Sequence, residues 1–254
     1  MNEIIDFHVH PLYDFHQDDH GVEISPALFR KDLEACGVRR ICGSVIYREM
    51  NRSAIPNYEW LIPRMNAQAR ECREEMGHFY IPGIHVHPAF VEMSCAEIEK
   101  AASEGIRLIG ELVPYMMGWT SYASAPMLEI LSYAGEKDMV VSMHPTNYGD
   151  MEALATALPH LKIVYAHLSG KEEQLALMMK HDNVCFDYSA HGADHEGMLR
   201  YAIDRVGADR ILFGTDYPGN SVVSDLEAAL SGGLTCGELE AVLGMNARRL
   251  LGLE

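Results

Sequence analysis

Two histidines near the start of the chain, His8 and His10, are separated by one residue in an apolar segment over residues 4–11. Successive side chains of a β-strand point to opposite faces, so these two imidazoles would lie on the same face. Two neutral imidazoles that converge on one point are typical ligands of a divalent metal ion. A pair of hydrogen-bonded core histidines is the structural alternative, and further ligands elsewhere in the sequence would favour the metal.

Ionisable side chains recur near the carboxyl ends of the later apolar segments. In chain order they are His85, His87, Glu111, His144, His167, Asp187 and Asp216. Burying such groups is costly unless they are paired or bound to a metal. Their recurrence therefore predicts one polar site that is assembled from several strands.

The elements that must position these residues are eight short apolar segments, each followed by a helical segment. Continuous apolar strands that alternate with helices indicate a parallel sheet buried on both faces. Eight such units in 254 residues predict a (β/α)8 barrel, a single α/β domain over residues 1–254 with an extra C-terminal helix. An open doubly wound sheet is the alternative, but no Gly-x-Gly-x-x-Gly motif follows any predicted strand. In a barrel the carboxyl ends of all strands lie at one face, where active sites form.

Capping signals mark the predicted helices. Ser25 followed by Pro26 predicts the start of the first helix, and Gly37 predicts its end. The pattern Ser/Thr-x-x-Glu is typical of a capping box and predicts helix starts at four further places: Ser94, Ser169, Ser224 and Thr235. The helix that begins at Thr235 is predicted to run to about residue 251.

Composition excludes some classes of partner. The formal net charge is −17, from 37 acidic residues and 20 lysines and arginines, which disfavours nucleic acids and anionic membranes as partners. No apolar run approaches the roughly 18–20 residues of a membrane helix. The six cysteines are scattered without a Cys-x-x-Cys pair, which is typical of reduced thiols. A cleaved signal peptide would remove the first predicted strand, so we expect a soluble, cytoplasmic protein.

The order of these motifs resembles that of the amidohydrolase superfamily, in particular its amidohydrolase-2 branch of TIM-barrel metal-dependent hydrolases and decarboxylases. The resemblance covers the whole chain, from His8-x-His10 to Gly-Thr-Asp-Tyr-Pro at residues 214–218 and Asn-Ala-Arg-Arg-Leu-Leu-Gly-Leu at residues 246–253. A His-x-His motif alone is common. Its combination with a strand-five histidine, a strand-six histidine and the strand-eight Thr-Asp-Tyr-Pro is specific.

The resemblance implies a metal centre. His8 and His10 would bind the more buried ion together with Asp216, and His144 would be a further ligand. His167 would bind a second ion or orient the attacking water. Glu111 lies where two-metal relatives place a bridging carboxylate, and although the branch includes one-metal members, we favour two ions. The metal would be divalent; histidine-rich ligation favours Zn²⁺ over Mn²⁺ or Fe²⁺.

Some of these residues have structural alternatives. Asp216 could cap the helix after the last strand. Glu111 could instead form a salt bridge with Arg107 or Arg48. We expect Asp187 to support a ligand rather than to bind metal itself.

Three residues are predicted to contact the substrate. His85 and His87 form a second His-x-His, and since one or two ions do not need so many imidazoles, His87 is assigned to the substrate. Arg48, with Arg52, could hold a carboxylate or phosphate by two hydrogen bonds, although solvated arginines are an equal alternative. Trp119 lies in a loop rich in methionine and aromatic residues that could form a substrate wall or a contact between subunits.

The implied function is hydrolysis of a C–N, C–O or related bond in a small molecule by a metal-activated water, with Asp216 and His167 as catalytic residues. Non-oxidative decarboxylation of a small carboxylic acid on the same site is the first alternative. A TatD-type phosphodiesterase or DNase is the second, and the acidic charge weighs against it. A non-catalytic metal-binding barrel is disfavoured because the ligand set is complete. Many barrels pair, so a homodimer is one expectation.

Overall fold

The computed structural model describes residues 3–11, 25–47, 57–190 and 197–253. Eight parallel strands form one sheet in which each strand pairs with the next along the chain. They are β1 Ile4–Asp6, β2 Val38–Ser44, β3 Tyr80–Ile84, β4 Leu108–Leu112, β5 Val140–Met143, β6 Lys162–Tyr165, β7 Val184–Asp187 and β8 Ile211–Leu212.

Helices follow the strands and cover the outer face of the sheet. They are α1 Pro26–Ala35, α2 Tyr58–Met76, α3 Val91–Ser103, α4 Ala125–Glu136, α5 Tyr148–Ala157, α6 Glu172–Lys180, α7 Met198–Val206, α8 Val222–Ser231, α9 Cys236–Glu240 and α10 Asn246–Leu251. A 3₁₀ turn, Gly77–Phe79, precedes β3, and a π-helical segment, Ala241–Met245, joins α9 to α10.

The sheet closes between the segments that follow β1 and β8. The amide of Phe7 donates to the carbonyl oxygen of Phe213 at 2.8 Å, and Val9 forms a parallel bridge with Tyr217. These bonds complete the ring of strands, so the predicted (β/α)8 barrel is confirmed. The extra C-terminal helix is also confirmed, as α10.

The interior of the barrel is a small apolar core, separate from the larger core between sheet and helices. It contains inward-facing residues of β1, β2, β4, β5, β6, β7 and β8, and α10 packs against it: Ile5, Phe7, Cys42, Leu108, Val140, Val164, Cys185, Leu212, Ala247 and Leu251. A filled interior makes the strands a rigid support for the residues at their carboxyl ends.

Two of the five predicted helix starts are confirmed. The hydroxyl of Ser25 accepts a hydrogen bond from the Leu28 amide, and Thr235 forms a full capping box with Glu238. The other three predictions are wrong. Ser94 lies inside α3, α6 begins three residues after Ser169, and α8 begins two residues before Ser224. Ser94 and Ser169 bond instead to His87 and Gln174, so both serines fix the local loop between strand and helix rather than the first turn of the helix.

None of the helices in the described part of the chain combines the length and the apolar composition needed to cross a membrane. The six cysteines are free thiols, and three of them are buried. Burial raises the pKa of Cys72 and of Cys185 to about 12, so these thiols stay protonated and pack as apolar side chains.

Candidate metal centre

His8 and His10 lie just beyond β1, which ends at Asp6 rather than continuing through them. Their side chains still point the same way, and the two Nε2 atoms are 3.3 Å apart. Each residue is only 1% exposed. The Nδ1 of His10 donates to the carbonyl oxygen of Ser44 at 2.9 Å, which leaves Nε2 as the nitrogen that faces the centre of the barrel.

Glu111 and Asp216 face the same two nitrogens. Glu111 Oε2 lies 3.4 Å from His8 Nε2 and 3.6 Å from His10 Nε2. Asp216 Oδ1 lies 3.6 Å from His8 Nε2 and 3.3 Å from His10 Nε2. Two ligands of one tetrahedral ion, with bonds of about 2.1 Å, are about 3.4 Å apart. The donor atoms and their spacing therefore fit a divalent metal ion.

The other oxygen of Glu111 faces a second pair of histidines. Glu111 Oε1 lies 3.1 Å from His144 Nδ1 and 3.8 Å from His167 Nε2. One carboxylate thus directs Oε2 at His8 and His10 and Oε1 at His144 and His167. This is the arrangement that a carboxylate needs to bridge two ions.

Local backbone geometry brings Glu111 into this position. The register of β4 against β5 shifts between Ile109 and Leu112, and such irregularities redirect side chains. Gly110 has a φ of 92°, and a Cβ there would lie 2.1 Å from the carbonyl oxygen of Ser142. Only glycine allows β4 to approach β5 this closely.

Charge within the cluster is balanced between carboxylates and imidazoles. Burial by itself would raise the pKa of Glu111, but the charge of His8 and hydrogen bonds with His10 and His144 hold it well below its usual range. Burial would lower the pKa of His8, but the charges of Asp187 and Glu111 raise it well above the ordinary value. Without metal, the ionised form of Glu111 and the protonated form of His8 therefore stabilise each other.

The alternative prediction, a salt bridge between Glu111 and an arginine, is wrong for Arg107. The guanidinium of Arg107 donates to the carbonyl oxygen of Lys137 instead. Arg48 lies outside the described residues. Within the described ranges, the charged partners of Glu111 are histidines.

His167 and Asp216 have left-handed backbones, with φ values of 62° and 59°. Such values are uncommon outside glycine, and strained conformations cluster at functional sites. The Asp216 amide donates to the carbonyl oxygen of His8 at 2.7 Å, and the Asn220 amide group donates to Asp216 Oδ2 at 3.2 Å. The Asp216 side chain is 22% exposed, against 5% for Glu111, so it faces both the cluster and the solvent.

Two buried aspartates that surround the cluster support it. Asp6 accepts hydrogen bonds from the His8 amide and from both the amide and the hydroxyl of Thr215, which joins β1 to the end of β8. Burial raises the pKa of Asp6 to about 7. Asp187 Oδ2 lies 3.1 Å from His8 Nδ1, on the side of the ring away from Glu111. Sequence reasoning missed Asp6, although it stands two residues before His8 in the motif.

A cleft of about 600 Å³ leads from the solvent to the cluster. Its lining includes His144, His167 and Asp216, together with Tyr115, Met151 and Lys171. Tyr115 is 66% exposed, and its ring meets the ring of His144 edge-on, with centroids 5.2 Å apart. Sequence reasoning missed Tyr115, although it begins the aromatic-rich loop that was singled out.

Two of the three residues predicted to contact substrate, His87 and Trp119, lie away from this cleft. His87 Nε2 donates to the Met117 carbonyl oxygen, and its Nδ1 accepts from the Ala89 amide, so the backbone occupies both ring nitrogens. Trp119 is buried edge-on against Tyr122. The structure places neither His87 nor Trp119 among the residues that line the cleft, and the exposed wall is formed by Tyr115 instead. Arg48, like Arg52, lies outside the described residues, and its role stays a prediction.

The fold is similar to that of several solved structures. A 2,6-dihydroxybenzoate decarboxylase from Rhizobium is 16% identical with a TM-score of 0.76, over 100% of this chain and 99% of that one. A 5-carboxyvanillate decarboxylase from Novosphingobium aromaticivorans with bound manganese is 14% identical with a TM-score of 0.76, over 99% and 97%. A Pseudomonas putida protein provisionally assigned as a 2-pyrone-4,6-dicarboxylic acid hydrolase is 18% identical with a TM-score of 0.72, over 99% and 98%.

At these identities the likeness concerns the fold alone. No curated protein sequence matches this chain. The family model Amidohydro_2, described as Amidohydrolase, matches residues 5–253, which is nearly the whole sequence. The chain therefore belongs to the amidohydrolase-2 family, as its motifs and their order predict.

Proposed function

We propose that this protein is a metal-dependent hydrolase that cleaves a C–N, C–O or related bond of a small molecule at a two-ion centre. The observation that carries the proposal is the position of Glu111, whose two oxygens face two separate pairs of histidines. A salt bridge needs only one carboxylate oxygen beside a cation, whereas here each oxygen of Glu111 faces a pair of imidazoles that can lose a proton and bind metal. The acidic net charge favours a small substrate over a nucleic acid.

In this proposal His8, His10, Asp216 and one oxygen of Glu111 would hold one ion. The other oxygen of Glu111, with His144 and His167, would hold the second. The spacing of the first group favours Zn²⁺, while the oxygen and nitrogen donors also suit Mn²⁺ or Fe²⁺. When bound, such ions would lower the pKa of a water molecule to roughly 7 and polarise an oxygen of the substrate.

The chain's own contribution to the reaction is proton transfer by Asp216. Burial would raise the pKa of Asp216, but the hydrogen bond with His10 and the charge of His8 lower it, so the carboxylate is ionised and can accept a proton from the attacking water. Asn220 holds its second oxygen. Since Asp216 also lines the cleft, it can pass the proton to the leaving group. His167, at the base of the same cleft, would orient the water or the substrate oxygen.

Non-oxidative decarboxylation remains the second candidate because one feature of the cleft suits a carboxylate substrate. Lys171 lines the cleft and forms no ion pair with any other residue in the described ranges. The solved structures named above include two decarboxylases of aromatic acids. On such a substrate Asp216 would first have to take up a proton from solvent through the cleft, and would then deliver it to the ring carbon as the bond to the carboxylate breaks and CO2 leaves.

Product analysis with metal-loaded protein separates the two reactions. A panel of esters, lactones, amides and phosphoesters is assayed beside hydroxylated benzoic acids, in water enriched in oxygen-18. We expect the label in the product of a hydrolysed substrate, without release of CO2. Release of CO2 from a panel acid, with no label incorporated from any ester, lactone, amide or phosphoester, would contradict the hydrolase assignment and support the decarboxylase. A sample of Asp216→Asn protein shows which activity belongs to this site.

Metal uptake is expected to release protons. In the metal-free protein burial lowers the pKa of His10, but hydrogen bonds with Asp216 and Glu111 outweigh it and raise that pKa to about 9. At neutral pH an ion must therefore displace a proton from His10, and the pKa of His8 is raised as well. Because protons leave more easily as pH rises, metal affinity should increase with pH until the pKa of His10 is passed.

Calorimetric titration of the metal-free protein with Zn²⁺, in buffers of different ionisation enthalpy, counts the released protons. We expect at least one proton per ion in neutral buffer, and fewer in buffer above the pKa of His10. If metal affinity were the same at every pH and no protons were released, neither His8 nor His10 would lose a proton when the metal ion binds.

A further inference from the structure

Ser189, two residues beyond the end of β7, is fully buried and touches both halves of the candidate centre. Its Oγ lies 2.5 Å from Asp187 Oδ1, 3.0 Å from His8 Nδ1 and 3.0 Å from His167 Nδ1. His8 faces one oxygen of Glu111 and His167 faces the other. One hydroxyl therefore contacts a histidine from each half.

The donors and acceptors around Ser189 leave one arrangement. A serine hydroxyl has one proton to donate and two lone pairs to accept with. An ionised carboxylate can only accept, so the Ser189 proton must go to Asp187. Both imidazoles must then donate their Nδ1–H groups to Ser189, and His8 shares its single Nδ1–H between Ser189 Oγ and Asp187 Oδ2. This places the lone pair of each imidazole on Nε2, the nitrogen that faces Glu111.

Asp187 holds this arrangement in place. Its Oδ2 accepts from His8 Nδ1 directly, at 3.1 Å. Its Oδ1 accepts from the hydroxyl and the amide of Ser189 and from the amide of His167. The carboxylate is completely buried, so these bonds are not weakened by exchange with water. Asp187 thus acts on His8 directly and on His167 through Ser189.

We propose that Asp187 and Ser189 form a relay by which one carboxylate fixes the tautomer of a histidine at each of two metal ions. Both are positioning residues, since they act through His8 and His167. The inference rests on the proposed two-ion centre and identifies the residues that hold its histidines in place. Partners of this kind that orient metal-binding histidines typically change metal affinity by about 10- to 100-fold.

The relay predicts different effects for its two members. In Ser189→Ala, His8 keeps its direct bond to Asp187 while His167 loses its Nδ1 partner. We expect affinity for the second ion to fall about 10- to 100-fold while the first ion is bound as before. In Asp187→Asn the direct bond and the relay are both altered, so affinity for both ions should fall by that factor.

Zinc affinities are measured by competition with a chromogenic chelator, and the count of ions by elemental analysis. Long-range proton–nitrogen NMR of the zinc-loaded full-length protein reports which ring nitrogen carries the proton. In the wild type we expect both His8 and His167 to carry their proton on Nδ1. In Ser189→Ala we expect His167 to lose the signals of this tautomer while His8 keeps them. Ser94→Ala is the matched control, because Ser94 is a buried serine whose hydroxyl, among the residues that the structure describes, bonds to the backbone of His87 and not to the cluster.

The outcomes separate this inference from the proposed function. If the wild type binds two ions and Ser189→Ala binds both with unchanged affinity, the relay is wrong and the two-ion centre stands. Equal weakening of both ions by Ser189→Ala, or by Ser94→Ala as well, would also contradict the relay, since it would indicate a general loss of structure. A wild type that binds one ion or none would overturn the two-ion centre and the relay together.

Discussion

Replacing Asp216 with asparagine is expected to lower kcat by about 10²- to 10⁴-fold while the barrel stays folded. An amide oxygen can still lie near His10, 3.3 Å from Asp216 Oδ1 in the present structure, but it cannot accept a proton from water at neutral pH. The loss should therefore appear mainly in kcat. Steady-state kinetics, with metal content measured on the same sample, check this.

Asp138→Asn is the matched control for this substitution. Asp138 also has a left-handed backbone, with a φ of 55°, and its carboxylate pairs with Lys162 at the amino end of the strands, away from the cluster. We expect its kcat to be unchanged. Full activity in Asp216→Asn with normal metal content would show that another group carries the proton.

Replacing Glu111 with glutamine is expected to reduce the bound metal from two ions per chain to at most one. A glutamine side chain has a single oxygen and no charge, so it cannot serve two ions at once. We also expect kcat to fall by about 10²- to 10³-fold, the scale of losing one preorganised electrostatic partner. Elemental analysis of the reloaded protein and kinetics on the same batch measure both effects.

Glu97→Gln serves as the control for the Glu111 variant. Glu97 is a partly buried carboxylate on α3 that accepts from Arg70 and Asn66, outside the cluster. Its loss should lower thermal stability but leave two ions bound. Two ions at wild-type affinity in Glu111→Gln would show that Glu111 is not a shared ligand.

Much of the site could be predicted because, in a barrel, the residues at the carboxyl ends of the strands lie together at one face. Once eight apolar segments alternate with helices, their carboxyl ends must meet at one face. His144 and His167 follow β5 and β6 and Glu111 lies within β4, so their proximity follows from the strand pattern. Closure between the segments after β1 and β8 then brings Asp216 against His8 and His10.

Side-chain direction in the loops could not be predicted in the same way. His144 directly follows β5, whereas His87 lies three residues beyond the end of β3, and the His87 ring bonds to the backbone of Met117 and Ala89. Trp119 is buried where a substrate wall was predicted, while Tyr115 a few residues earlier lines the cleft. No sequence period distinguishes these directions, because they depend on contacts between loops.

Most of the residues that support the metal ligands could not be predicted from the sequence either. Ser189 has no spacing that marks it, since it acts through a contact with His8 on a distant strand. Asp6 shares the alternate spacing of His8 and His10, but its bond with Thr215 cannot be deduced from that spacing. Asp187 was expected to support a ligand, and the structure places it beside His8.

Anomalous scattering from crystals of the metal-loaded protein, measured on both sides of the metal absorption edge, tests the central claim most directly. We predict two peaks that share Glu111, one also within bonding distance of His8, His10 and Asp216, and the other within bonding distance of His144 and His167. An ion bound elsewhere, or none within bonding distance of His8 and His10, would contradict the metal centre and the hydrolase built on it.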